Sequence, residues 1–113
     1  MYSQRQNKVG RLIQKELAAV LQKEGRNLFQ GAMLTITVVR MSPDLSIAKV
    51  YLSIFPSNKA DEIMQNIDLQ AVNLRRLLGN EISKQVRIIP ELKFFPDDSQ
   101  DYAQRIDDLL KEN

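Results

Sequence analysis

The chain has no cysteine and no histidine among its 113 residues. Without cysteine there can be no disulfide, no thiolate metal site and no sulfur nucleophile. Without histidine the commonest metal ligand and the commonest general base are missing too. Ser42 and Ser53 therefore have no imidazole to activate them. Tryptophan is absent as well, and aromatic side chains are few. The glycines stand alone at positions 10, 25, 31 and 79, which excludes a Walker loop or a dinucleotide fingerprint. No apolar run approaches the ~18 residues of a membrane helix, and "MYSQRQNKVGRLIQKE" lacks the apolar centre of a signal peptide. A soluble, cytoplasmic protein without cofactor or small-molecule substrate is expected.

What is present suits one domain spanning 1–113. At 43% hydrophobic and 27% charged, the chain can form a core without staples, hiding roughly two-thirds of its unfolded surface. The net charge of +2 conceals an asymmetry. Residues 1–93 carry 14 basic and 8 acidic side chains, whereas residues 94–113 carry 2 basic and 6 acidic. A basic body with an acidic end points to a polyanionic partner for the body, against the alternative of an ordinary solvated surface.

Periodicity places the elements. Residues 4–24 read as an amphipathic helix with Val9, Leu12, Ile13, Leu17, Val20 and Leu21 on one stripe. Lys8, Arg11 and Lys15 fall on the opposite side, and Gly25 is the expected helix end. "NLFQGAM" then reads as a loop turning at Gly31. Residues 33–55 read as a β-hairpin with turn residues "SPDL". Ala48, Val50, Leu52 and Ile54 alternate with Lys49, Tyr51 and Ser53, which implies one buried and one wet face. A helical region follows to about Gln85, with an interruption at Ala71-Val72-Asn73. Arg76, Asn80 and Lys84 share its outward face, while Arg75 lies nearer the apolar side, where a structural role weighs at least equally. A third strand is expected over about 87–95, with Pro90 at an edge or bulge. A short helix follows, capped by Asp98 or Ser99 and bearing Tyr102, Ile106 and Leu109 on one side.

Asp97, Asp98 and Asp101 form the only dense carboxylate group. They lack the glycine and bidentate glutamate of a calcium loop, and turn formation and helix capping account for them more simply than a magnesium site. The element order, helix–strand–strand–helix–kink–helix–strand, is that of a type II KH domain, an α+β fold that binds nucleic acid. Such folds host many functions, so order alone decides little.

Four segments carry a more specific likeness: "RLIQKELAAVLQKE", "MSPDLSIAKVYLS", "LRRLLGNEI" and "VRIIPELKFFPDDSQDY". Together they span nearly the whole chain, and in this combination they resemble the ribosome-binding factor A family. The resemblance implies a non-enzymatic KH-like domain with a three-stranded sheet and helices on one face. It implies binding to the free, immature 30S subunit, support of 16S rRNA maturation including its 5′ end, and importance in the cold. It makes the acidic turn after Phe95 the exit of the last strand. The family's interhelical Ala-x-Gly is matched nearest by Ala71-Val72-Asn73, with asparagine in the glycine position. The long basic tail of some relatives has no counterpart, which shifts RNA binding onto the folded body. The candidate RNA contacts are then Lys8, Arg11, Lys15, Asn73, Arg76, Lys84 and Arg87, on a monomer without a metal. The rivals are another KH-type RNA-binding regulator and a metal-dependent nuclease built on Asp97, Asp98 and Asp101.

Overall fold

Ser3 starts the first helix through a reciprocal cap. Its hydroxyl accepts the Gln6 amide at 3.1 Å, and the Gln6 carboxamide oxygen accepts the Ser3 amide at 2.7 Å. In this computed structural model, which describes residues 2–29 and 31–97, helix α1 runs Gln4–Leu28. It thus passes through Gly25, where a helix end was expected. The end comes at Phe29, whose amide donates to the Gly25 carbonyl at 3.0 Å and whose ring is fully buried. Burial of that ring outweighs the weak helix propensity of one glycine. Asn27 and Leu28 consequently belong to the helix, and Gly31, at φ 79°, is the turn residue as expected.

Strands β1 (Met33–Met41) and β2 (Ile47–Phe55) form the expected hairpin. Their register slips at Thr37, a bulge between the Ile36–Leu52 and Val38–Tyr51 pairs. Helix α1 lies along the outer edge of β1. The Gln6 and Gln14 carboxamides donate to the carbonyls of Met41 (3.0 Å) and Ile36 (3.1 Å), satisfying edge groups that would otherwise be open to pairing. Gly10 allows this approach, since a Cβ there would stand 3.0 Å from the Val39 carbonyl oxygen.

The hairpin turn is organised by Asp44. Its carboxylate accepts the Ser42 hydroxyl (2.7 Å), the Ser46 hydroxyl (2.7 Å) and the Ser46 amide (3.1 Å). Hydrogen bonding from Ser42, then Ser46, stabilises the charged form and lowers the pKa from 3.8 to about 2. A folded pKa below the unfolded one means that the turn's contribution is complete above pH 3.8 and is lost as pH falls through about 2. A carbon-13 titration of the Asp44 carboxyl is expected to have its midpoint near 2. Ser42→Ala combined with Ser46→Ala should return it toward the ordinary value.

Helices α2 (Ala60–Leu69) and α3 (Ala71–Ile82) meet at Gln70. The break therefore falls one residue before Ala71-Val72-Asn73, and that triplet opens α3. Gln70 sits at φ −96°, ψ 4°, the negative-φ conformation of the third residue of a type I turn, so the kink needs neither glycine nor asparagine. Its amide donates to the Asn66 and Ile67 carbonyls at 3.1 Å each, and its carbonyl accepts the Leu74 amide at 2.8 Å.

Strand β3 spans Glu91–Pro96, shorter than the expected 87–95, and pairs parallel to β2, giving the order β1-β2-β3. Residues 86–90 stay outside the sheet, and Arg75 ties down the last two of them. Its guanidinium donates to the carbonyls of Ile89 (2.7 Å) and Pro90 (3.1 Å), which assigns Arg75 a structural role. Pro90 is buried just ahead of the strand, where its missing amide hydrogen costs no ladder bond.

One core unites these parts. Ile13, Leu17, Ile63, Ile67, Leu74, Leu78 and Ile82 from the helices meet Ile36, Ala48, Val50, Leu52, Leu92 and Phe94 from the sheet. This is the expected α+β arrangement, with helices on one face and the other face of the sheet open among the described residues. The expected C-terminal helix lies outside those residues. Among them, no helix is long and apolar enough to cross a membrane.

Candidate nucleic-acid interface

Because α1 turns its apolar stripe inward, Lys8, Arg11 and Lys15 are left exposed on its outer side. Lys15 lines a groove of about 550 Å³ between α1 and β1, beside Gln14, Ala18 and Thr35. At the start of the helix a second depression, about 310 Å³, is lined by Arg5 and Val9 from α1, Asp44 from the hairpin turn and Arg87 from the loop before β3. Arg5 and Arg87 are thereby brought to one place. Arg5 was missed from sequence because no local pattern sets it apart, and only the fold carries the distant loop to it.

Around the kink, Asn73 and Arg76 act as a pair. The Arg76 guanidinium donates to the Asn73 side-chain oxygen at 2.8 Å, and the Asn73 amide group donates to Gln70 at 3.4 Å. Leu69 and Val72 flank them at 81% and 82% exposure, so the junction presents apolar surface beside a cation. Lys84 is exposed but lies in the turn beyond Ile82, so the helical face expected to join Arg76, Asn80 and Lys84 stops short of it. Arg87 is likewise in the loop and not in a strand.

Tyr51 lies on the open face of the sheet, stacked on Phe95 with ring centroids 5.4 Å apart and an interplanar angle of 26°. The Asp97 carboxylate accepts the Thr37 hydroxyl, and the Asp97 amide donates to the Leu52 carbonyl at 2.7 Å. Those bonds give Asp97 the structural role expected of a strand exit. Asp98 and Asp101 lie outside the described residues.

A sequence model of the family described as ribosome-binding factor A matches residues 5–110. The chain belongs to the ribosome-binding factor A family. It is 54% identical to ribosome-binding factor A of Cytophaga hutchinsonii over 110 residues, covering 97% of this chain and 83% of the relative. With that of Flavobacterium johnsoniae it shares 41% over 116 residues, covering 100% and 89%. The crystal structure of ribosome-binding factor A from Thermus thermophilus superposes with a TM-score of 0.68 at 22% identity, covering 84% of this chain and 97% of that one. A homology model of the Thermus thermophilus factor, fitted into an electron cryomicroscopy map of its complex with the 30S subunit, gives a TM-score of 0.64 at 25% identity, covering 82% and 96%. Ribosome-binding factor A membership thus extends over the helices and strands that present every candidate contact named above.

Proposed function

We propose that this chain is a non-enzymatic assembly factor that binds the immature small ribosomal subunit through phosphate contacts. The observation that carries the reading is membership in the ribosome-binding factor A family over 5–110, with a related factor fitted into a map of a 30S complex. The chain would act as a single cytoplasmic domain and a monomer, supporting late maturation of 16S rRNA, including its 5′ end, and growth in the cold. Lys8, Arg11 and Lys15 would form one contact face. Asn73 and Arg76 at the kink, Lys84 in the turn after α3, and Arg87 beside Arg5 would add further contacts.

Such cations position a protein on folded RNA more than they read sequence. If about five phosphates are neutralised, affinity should fall roughly 10²- to 10³-fold between 50 and 200 mM salt. Gradient sedimentation with purified subunits across that range tests the reading. Co-migration with free small subunits, absent from translating ribosomes and steep in salt, is the expected result. A flat salt response, or cleavage of precursor rRNA by the pure protein with magnesium, would sink it.

A further inference from the structure

The open face of the sheet is ordered in rows that only the strand register reveals. Cross-strand partners share a face, so Arg40, Lys49 and Lys93 stand side by side across β1, β2 and β3, all exposed. Two residues further along β2 and β3, the next row is Val38, Tyr51 and Phe95. Tyr51 and Phe95 are the stacked pair, and Phe95 retains 36% exposure. Adjacent rows are ~7 Å apart along a strand. Tyr2 extends the cationic end, with its ring under the Arg40 guanidinium at 5.6 Å and its hydroxyl accepting from Arg40 at 3.5 Å. Tyr2, Val38, Arg40, Tyr51 and Asp97 line a single open depression of about 480 Å³.

We propose that this face is a stacking platform for unpaired RNA nucleotides, separate from the helical faces that carry the phosphate contacts above. It rests on the RNA-binding reading and adds a second surface to it. Single-stranded RNA is recognised by flat side chains that accept unstacked bases beside cations that track the backbone. The two rows supply both. Their order also sets how a strand would lie. Asp97 and its Thr37 partner occupy the far side of the aromatic row, where a phosphate would be repelled, so the backbone would run over Arg40, Lys49 and Lys93. Glu91, on the same face beyond Lys93, marks the limit of the cationic row. A duplex keeps its bases stacked inside and cannot use the aromatic row, so the platform discriminates by strandedness and tolerates sequence.

The test is fluorescence anisotropy of the full chain with a labelled eight-nucleotide RNA of mixed sequence, set against the same sequence as a duplex. Tyr51→Phe is expected to keep single-strand affinity. Tyr51→Leu, which preserves apolar cover but removes the ring and its stacking on Phe95, is expected to weaken it about tenfold while lowering the melting temperature by only a few degrees. Lys49→Glu with Lys93→Glu should weaken it further and flatten its salt dependence. Equal binding of duplex and single strand, or indifference to Tyr51→Leu, overturns the platform. So would ring-proton contacts from Tyr51 and Phe95 to residues 98–113, or to a second copy, that persist in saturating RNA. Subunit sedimentation of the same variants keeps the two readings apart: lost oligonucleotide binding with intact subunit binding supports the platform as a separate surface, whereas sheet variants without effect beside a working charged face on α1 defeat the platform alone.

Discussion

Replacing Lys8, Arg11 and Lys15 together by glutamate is expected to lower affinity for the small subunit on the order of 100-fold. Three proposed phosphate contacts would become three repulsions on one helical face, so the loss should exceed that of neutral substitutions. The fold should survive, because all three side chains are exposed opposite the stripe of Ile13, Leu17, Val20 and Leu21. Exposed changes of this kind cost less than ~0.5 kcal/mol each, a shift of a few degrees in melting temperature. A matched reversal of Lys59, Arg105 and Lys111 should do far less, since Lys59 belongs to neither contact face and the other two lie in the acidic C-terminal stretch. Sedimentation and thermal melting of both triple variants check this directly. Equal binding by the two would remove α1 from the interface.

The second large effect is one of stability. Phe29→Ala should cost about 3–5 kcal/mol, because a fully buried aromatic ring is deleted from the core. For a chain of this size that lowers the melting temperature by roughly 10–20 °C. Phe29 also receives the Ala32 amide on its carbonyl at 3.0 Å, so the ring anchors the turn from α1 into β1. Phe29→Leu should recover most of the loss. Thermal denaturation followed by circular dichroism distinguishes the two variants. A Phe29→Ala melt within a few degrees of the parent would show that the ring is not an anchor.

How much of this was legible beforehand divides along a physical line. Elements whose evidence repeats along the chain were readable. The α1 stripe, the alternation of Ala48, Val50, Leu52 and Ile54 with Lys49, Tyr51 and Ser53, and the helical spacing of Ile63, Ile67, Leu74, Leu78 and Ile82 all appear, with these apolar residues buried except for Val9, Leu12 and Ile54, which are half-buried against the core. Exposure of Lys8, Arg11, Lys15 and Arg76 followed from the same periodicities, whereas Lys84 and Arg87 are exposed in the turn and loop beyond α3. The kink at Gln70 was displaced from its expected place because its negative-φ conformation needs neither glycine nor asparagine, so neither marks it. Gly25 misled for the converse reason, since a glycine tolerates a helix whenever packing beyond it is strong enough.

Arg75 shows the limit for single side chains. Nothing near it in sequence announces that its partners are the carbonyls of Ile89 and Pro90, fourteen and fifteen residues away. The open-face rows show it for sites. Lys49-Val50-Tyr51 and Lys93-Phe94-Phe95 carry the same cation–x–aromatic spacing, a signal present in the sequence. Its meaning depends on β3 lying parallel to β2 in a register that sets Lys93 against Lys49 and Phe95 against Tyr51. Periodicity alone thus determined which side of each element is apolar and which is charged, because that follows from 3.6-residue and two-residue repeats. Which elements meet, in which register, and which distant side chains they bring together was decided only by the tertiary structure, because burying one shared core selects among arrangements that local patterns leave equal.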